Sequence, residues 1–177
     1  MQSQDKSPTY PEPPAGPPKS GPTLDERIRD FLAQQRIAVT GVSGERELTG
    51  NVIYRKLKTA GYDVFAVNPN ARAFDGDPCY PNVSAIPGGV DGVVIVNRPE
   101  VTNAIVRECA ETGFPRVWMH QSLVKAGTSV SPEAVRFCTT QGISVIAGAC
   151  PMMYVRGADV GHLVMRCLLR LTGGLPG

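Results

Sequence analysis

Short apolar runs recur along the chain at Arg36–Thr40, Asp63–Val67, Asp91–Val96, Arg116–His120 and Ile143–Ala147. Within each run nearly every residue is apolar instead of every second one, the pattern of a strand covered on both faces, as in a parallel sheet. Stretches with helical spacing separate or follow them at about 51–60, 99–112, 132–141 and 159–171. In "AGYDVFAV", "TGFPRVWMH" and "QGISVIAG" a glycine (Gly61, Gly113, Gly142) stands where a left-handed residue closes a helix before the next strand. Pro99 and Pro132 suit first helical positions, and Ser131 is a candidate N-cap.

Ahead of the first strand, Thr23 and Glu26 make a T-x-x-E capping box, and Leu24, Ile28, Phe31 and Leu32 share one helical face, so a helix is expected to about Gln34. Alternating helices and buried strands joined by right-handed crossovers predict a Rossmann-like, doubly wound α/β fold. The expected sheet is five-stranded and mainly parallel, with helices on both faces and an order that reverses beside the first strand. The segment from Asn70 to Gly89 shows no helical pattern. Residues 1–22 carry seven of the sixteen prolines and almost no large apolar side chains, so they are expected to form a disordered tail, leaving 23–177 as one domain.

Composition narrows the function. At 177 residues, 42% hydrophobic and 19% charged, the chain can bury one core. A net charge of +2 with scattered Lys and Arg gives no footprint for a nucleic acid. No segment approaches the ~20 apolar residues of a membrane helix. Five widely spaced cysteines and two histidines offer neither a disulfide framework nor a zinc site, and suit free thiols in a reducing cytoplasm. Paired carboxylates, a Ser-His-Asp set and metal-ligand spacing are not discernible, so the expectation leans away from an enzyme.

The chemistry concentrates in "TGVSGERELTGN", at the carboxyl end of the first strand, where ligands of doubly wound sheets bind. Gly41, Val42, Ser43 and Gly44 read as a phosphate cradle of backbone N–H groups, with Asn51 opening the helix behind it. The spacing is not G-x-G-x-x-G, since Ser43 and Arg46 stand where glycines would be. The second strand runs into Asn68, Pro69 and Asn70 with no carboxylate for ribose hydroxyls before Asp75, whereas Arg72 is placed to meet a phosphate carried on the ribose. His120 ends a strand at the same edge, and Cys150 lies just beyond the last one, where a thiol ligand could form a mixed disulfide.

The stretches "GVSGERELTGNVIYRKLKTAGYDVFAVNPN", "CYPNVSAIP", "VNRPE", "VWMHQS" and "GACPMM" together resemble the small CoA-binding proteins, whose fold is shared with the CoA-binding domain of the succinyl-CoA synthetase alpha subunit. The resemblance covers roughly Phe31 to Leu171. It implies coenzyme A or an acyl-CoA as ligand, with Gly41 to Gly44 at the phosphates, Asn68 and Pro69 beside the nucleotide, and Val96, Asn97 and Arg98 along the adenine or pantetheine. Relatives commonly carry lysine after the Asn-Pro pair, where this chain has Asn70.

The sequence therefore favours a CoA-binding module acting as a carrier, a sensor or a subunit that presents CoA to a partner. Two alternatives stand beside it: a small NADP-dependent oxidoreductase with Arg72 on the 2'-phosphate, and an adaptor with a degenerate nucleotide site whose Pro-rich tail does the work. The apolar face of the last expected helix (Leu163, Leu168, Leu169, Leu171) could pack internally or pair two subunits.

Overall fold

The computed structural model describes residues 21–122 and 127–155. In chain order the elements are α1 (Leu24–Leu32), β1 (Arg36–Thr40), α2 (Thr49–Thr59), β2 (Asp63–Val67), β3 (Ala73–Phe74), β4 (Asp77–Tyr80), β5 (Gly92–Ile95), α3 (Pro99–Thr112), β6 (Arg116–His120), α4 (Pro132–Thr140), β7 (Ser144–Ala149) and a 3-10 turn at Pro151–Met153. The Pro-rich tail, His162 and the expected helix at 159–171 lie outside the described residues.

The sheet order is β3-β4-β2-β1-β5-β6-β7. All pairings are parallel except β3 with β4, and the order reverses beside β1 as expected. The expected count of five strands is corrected to seven. The two additional strands form a hairpin within the segment that showed no helix. Asp75 and Gly76 both take positive φ, 49° and 84°, the backbone of a two-residue turn whose twist matches paired strands. The signal was the Asp-Gly pair, hidden because the flanking strands are very short.

Side chains alternate across each central strand. Ile37, Val39, Val94, Trp118 and Ile146 meet α1 and α2 on one face, while Ala38, Val93, Ile95, Val117, Met119 and Val145 meet α3 and α4 on the other. The capping box forms, with the Glu26 amide donating to Thr23 Oγ1 and the Thr23 amide to Glu26 Oε2. Phe31 of α1 packs edge-on against Trp118 at 5.3 Å between centroids, and the Trp118 indole N–H donates to the Ala149 carbonyl at 2.9 Å. Trp118 is thus a packing residue of the core. No helix among the described residues is long and apolar enough to cross a membrane.

Candidate functional site

Three chain segments converge at the carboxyl edge of the sheet. Gly41 leaves β1 with φ 79°, and a Cβ on it would lie 2.6 Å from the Val96 carbonyl oxygen at the end of β5. A Cβ on Gly50, in the first turn of α2, would lie 2.5 Å from the Gly41 carbonyl oxygen. Only residues without side chains permit this stacking of strand end, helix start and neighbouring strand end. The intervening residues, 42–48, form a loop that starts from buried Val42 and is otherwise exposed or half-buried.

Polar side chains fix that loop. Asn51, 2% exposed, accepts a hydrogen bond from the Ser43 amide at 2.8 Å and donates to the carbonyls of Ser43 (2.8 Å) and Arg46 (2.9 Å). Ser43 Oγ accepts from the amides of Glu45 and Arg46, both at 3.3 Å. Asn68 donates to the Val42 carbonyl at 2.7 Å and accepts from the Asn70 amide at 2.8 Å, tying the loop to the end of β2. Arg55 adds ion pairs to Glu47 in the loop and Asp75 in the hairpin turn; these are half-exposed and worth little energetically, but they link three segments. Asn51 and Ser43 therefore shape the cradle, since the Ser43 amide is used by Asn51 and its hydroxyl by the next turn.

Adjoining cavities lie over this edge. A cleft of about 460 Å³ is lined by Gly41, Val42, Ser43, Gly44, Asn68, Pro69, Asn70 and Asn97 together with Leu48 and Val101. A chamber of about 270 Å³ opens between the start of α2 and the end of β6, bounded by Leu48, Thr49, Gly50, Val96, Asn97, Arg98, His120 and residues 127–129. The two share Gly41, Leu48 and Asn97. Asn97 also borders a third cavity of about 190 Å³ beside Thr40 and Val67. Its orientation is fixed from below: Thr40 Oγ1, buried, donates to Asn97 Oδ1 at 2.5 Å, leaving the amide nitrogen as a donor for a ligand.

Of the residues expected at the site, Arg72 is exposed and borders none of these cavities. Asn51 lies beneath the loop. The remaining eleven line the cleft or the chamber. Leu48, Thr49, Gly50 and Val101 were missed, although Leu48 at 38% and Val101 at 46% exposure are large apolar side chains left in solvent beside the cleft. Apolar positions flanking the Gly-rich loop were the available signal.

His120 is 4% exposed, and burial holds its imidazole neutral by pushing its pKa from 6.5 down to about 4. A folded-state pKa below the unfolded value means that the unfolded chain takes up the proton first. The stability contribution is therefore complete above pH 6.5 and is lost as pH falls toward 4. At 1.36 kcal/mol per pH unit the loss reaches about 3 kcal/mol. In urea unfolding between pH 7 and 4, His120→Gln is expected to flatten the acid decline; an unchanged slope would show that the imidazole titrates normally.

Cys150 is buried, burial pushes its thiol pKa up, and it borders none of the three cavities. Folded protein incubated with CoA disulfide at pH 7 is expected to show no mass increase at Cys150 within an hour. Rapid addition there would mean that the thiol reaches solvent and ionises.

The family model for the CoA binding domain matches residues 35–156, from the entry into β1 to just past β7. The chain belongs to this family. The matched span contains the whole Gly-rich loop, the cleft and the chamber, which makes the site part of the CoA binding domain itself. Over 124 residues, 70% of this chain and 87% of the relative, it is 29% identical to the uncharacterized protein YneT of Bacillus subtilis. It is 30% identical over 118 residues to the ADP-forming acetate–CoA ligase I of Archaeoglobus fulgidus, covering 64% of this chain but 17% of the ligase. A solved structure of a hypothetical protein from Pyrococcus horikoshii superposes with a TM-score of 0.67 at 28% identity, over 78% of this chain and 94% of that one.

Proposed function

We propose that the domain binds coenzyme A or an acyl-CoA along the carboxyl edge of the sheet, as a carrier, sensor or CoA-presenting subunit. The observation that carries this reading is that the cleft and the chamber lie side by side on the sheet edge with Gly41, Leu48 and Asn97 common to both walls, room for a long ligand laid across them. The nucleotide end would lie in the cleft, with the diphosphate against the Gly41–Gly44 loop and the adenosine beside Asn68, Pro69 and Asn70. The pantetheine would cross Leu48 and Val101, whose exposed apolar surface a ligand would cover. Arg72, two residues past Asn70, is the proposed partner of the ribose phosphate in place of the lysine common in relatives. The domain corresponds to a small part of the acetate–CoA ligase it resembles, so ligation chemistry is not part of the proposal.

Native mass spectrometry with CoA and NADPH added in parallel tests the reading. A CoA-sized adduct is expected, and Ser43→Asp should weaken it at least tenfold by placing a carboxylate against the diphosphate. Binding of NADPH alone, or of neither compound, would overturn it.

A further inference from the structure

The chamber is built differently from the cleft it adjoins. No carboxylate among the described residues lines it, and Arg98 stands at its wall. Thr49 and Gly50 are the first two residues of the eleven-residue helix α2, so their N–H groups lack intrahelical acceptors and carry the positive end of the helix dipole. His120 is the independent feature. Its side chain is more than nine-tenths buried, borders the chamber, and makes no hydrogen bond to any described residue. A ring nitrogen with no partner among the described residues can hydrogen-bond a ligand held in the chamber without giving up a bond within the protein. As a neutral imidazole it retains one N–H to donate.

We propose that the chamber is an oxyanion subsite, distinct from the nucleotide cleft, that takes a small carboxylate or phosphate between the Thr49 and Gly50 amides and His120. The inference goes beyond the CoA reading and does not depend on it, because the chamber has its own donors. The anion could arrive free in solution or as the charged tip of an acyl chain carried on CoA.

The full-length chain, labelled with 15N, would be titrated separately with inorganic phosphate, succinate, acetyl-CoA and a CoA thioester whose acyl chain ends in a carboxylate. Saturable shifts are expected in the Thr49 and Gly50 amides and the His120 ring. Two variants remove donors at little structural cost. Thr49→Pro deletes one N–H at the first helical position, where proline is natural, and the preceding Leu48 is already extended at φ -120° and ψ 162°. His120→Phe keeps a ring and removes both nitrogens. Each is expected to weaken oxyanion binding tenfold or more. Shifts with free phosphate or succinate identify a free anion. A carboxylated thioester that binds at least tenfold more tightly than acetyl-CoA, and alone gives the shifts, places the anion on the acyl chain. The inference is overturned if no probe shifts the chamber saturably, or if both variants bind as the parent does. CoA binding that leaves the chamber silent would sink this inference and spare the CoA reading; a chamber response in a chain that ignores CoA would do the reverse.

Discussion

Gly50→Ala is expected to lower stability by about 2–3 kcal/mol and the melting temperature by about 4–12 °C. In an ordinary helix the same substitution is favourable by about 0.8–1 kcal/mol, so the sign is the informative part. The added Cβ would sit 2.5 Å from the Gly41 carbonyl oxygen and 3.1 Å from the Val42 nitrogen. Gly41 has little room to give, because a Cβ on it would lie only 2.6 Å from the Val96 carbonyl oxygen and its φ of 79° favours glycine. The helix must therefore tilt away from the strand ends, spreading the 42–48 loop, and CoA affinity should fall at least tenfold with it. Thermal unfolding and calorimetric titration check both parts. A stabilised variant would show that α2 does not rest on Gly41.

Asn51→Asp is the second large effect. The carboxylate keeps the shape of the amide and still accepts from the Ser43 N–H, but it turns a donor into an acceptor facing the carbonyls of Ser43 and Arg46, with Glu47 Oε2 3.4 Å from that nitrogen in the parent. Losing two buried hydrogen bonds and leaving their partners unsatisfied costs about 1–3 kcal/mol each. A negative charge near the start of α2 returns only about 0.3–1 kcal/mol through the helix dipole. The net expectation is about 2–4 kcal/mol of destabilisation, with CoA binding weakened because the cradle loses its template. Urea unfolding of the variant should show a lower midpoint at unchanged slope. An unchanged midpoint would mean that the loop holds its shape without Asn51.

The central strands were legible because burial on both faces writes itself as uninterrupted apolar runs, from "IAV" in β1 to "VWM" in β6. Chain punctuation was equally direct: Thr23 with Glu26 capped α1, Gly113 closed α3 with φ 76°, and Ser131 capped α4 through the Ala134 amide. The β3–β4 hairpin escaped because two- and four-residue strands are too short for periodicity, and only Asp75-Gly76 betrays them. At the candidate site, backbone geometry came through better than side-chain duty. The stretch from Gly41 to Gly44 was placed correctly at the sheet edge, yet sequence could not show that the Asn51 side chain turns inward to bond the Ser43 backbone while the Ser43 hydroxyl accepts from the Glu45 and Arg46 amides. Nor could it show that Leu48, Thr49 and Gly50 would face the chamber, since that depends on where α2 begins relative to β6.

The seating of α1 has a kinetic meaning. This first helix lies on the same side of the sheet as α2 but reaches across to β7, the last described strand, and its Phe31 meets Trp118 on β6. Its apolar face therefore has nothing complete to cover until more than a hundred further residues have been laid down. A contact of such long sequence separation must bear the full entropy of loop closure before it repays any of it. The earliest of the described elements is thus expected to be among the last to dock, after the central strands have assembled, leaving Ile28 and Phe31 without their final cover until then.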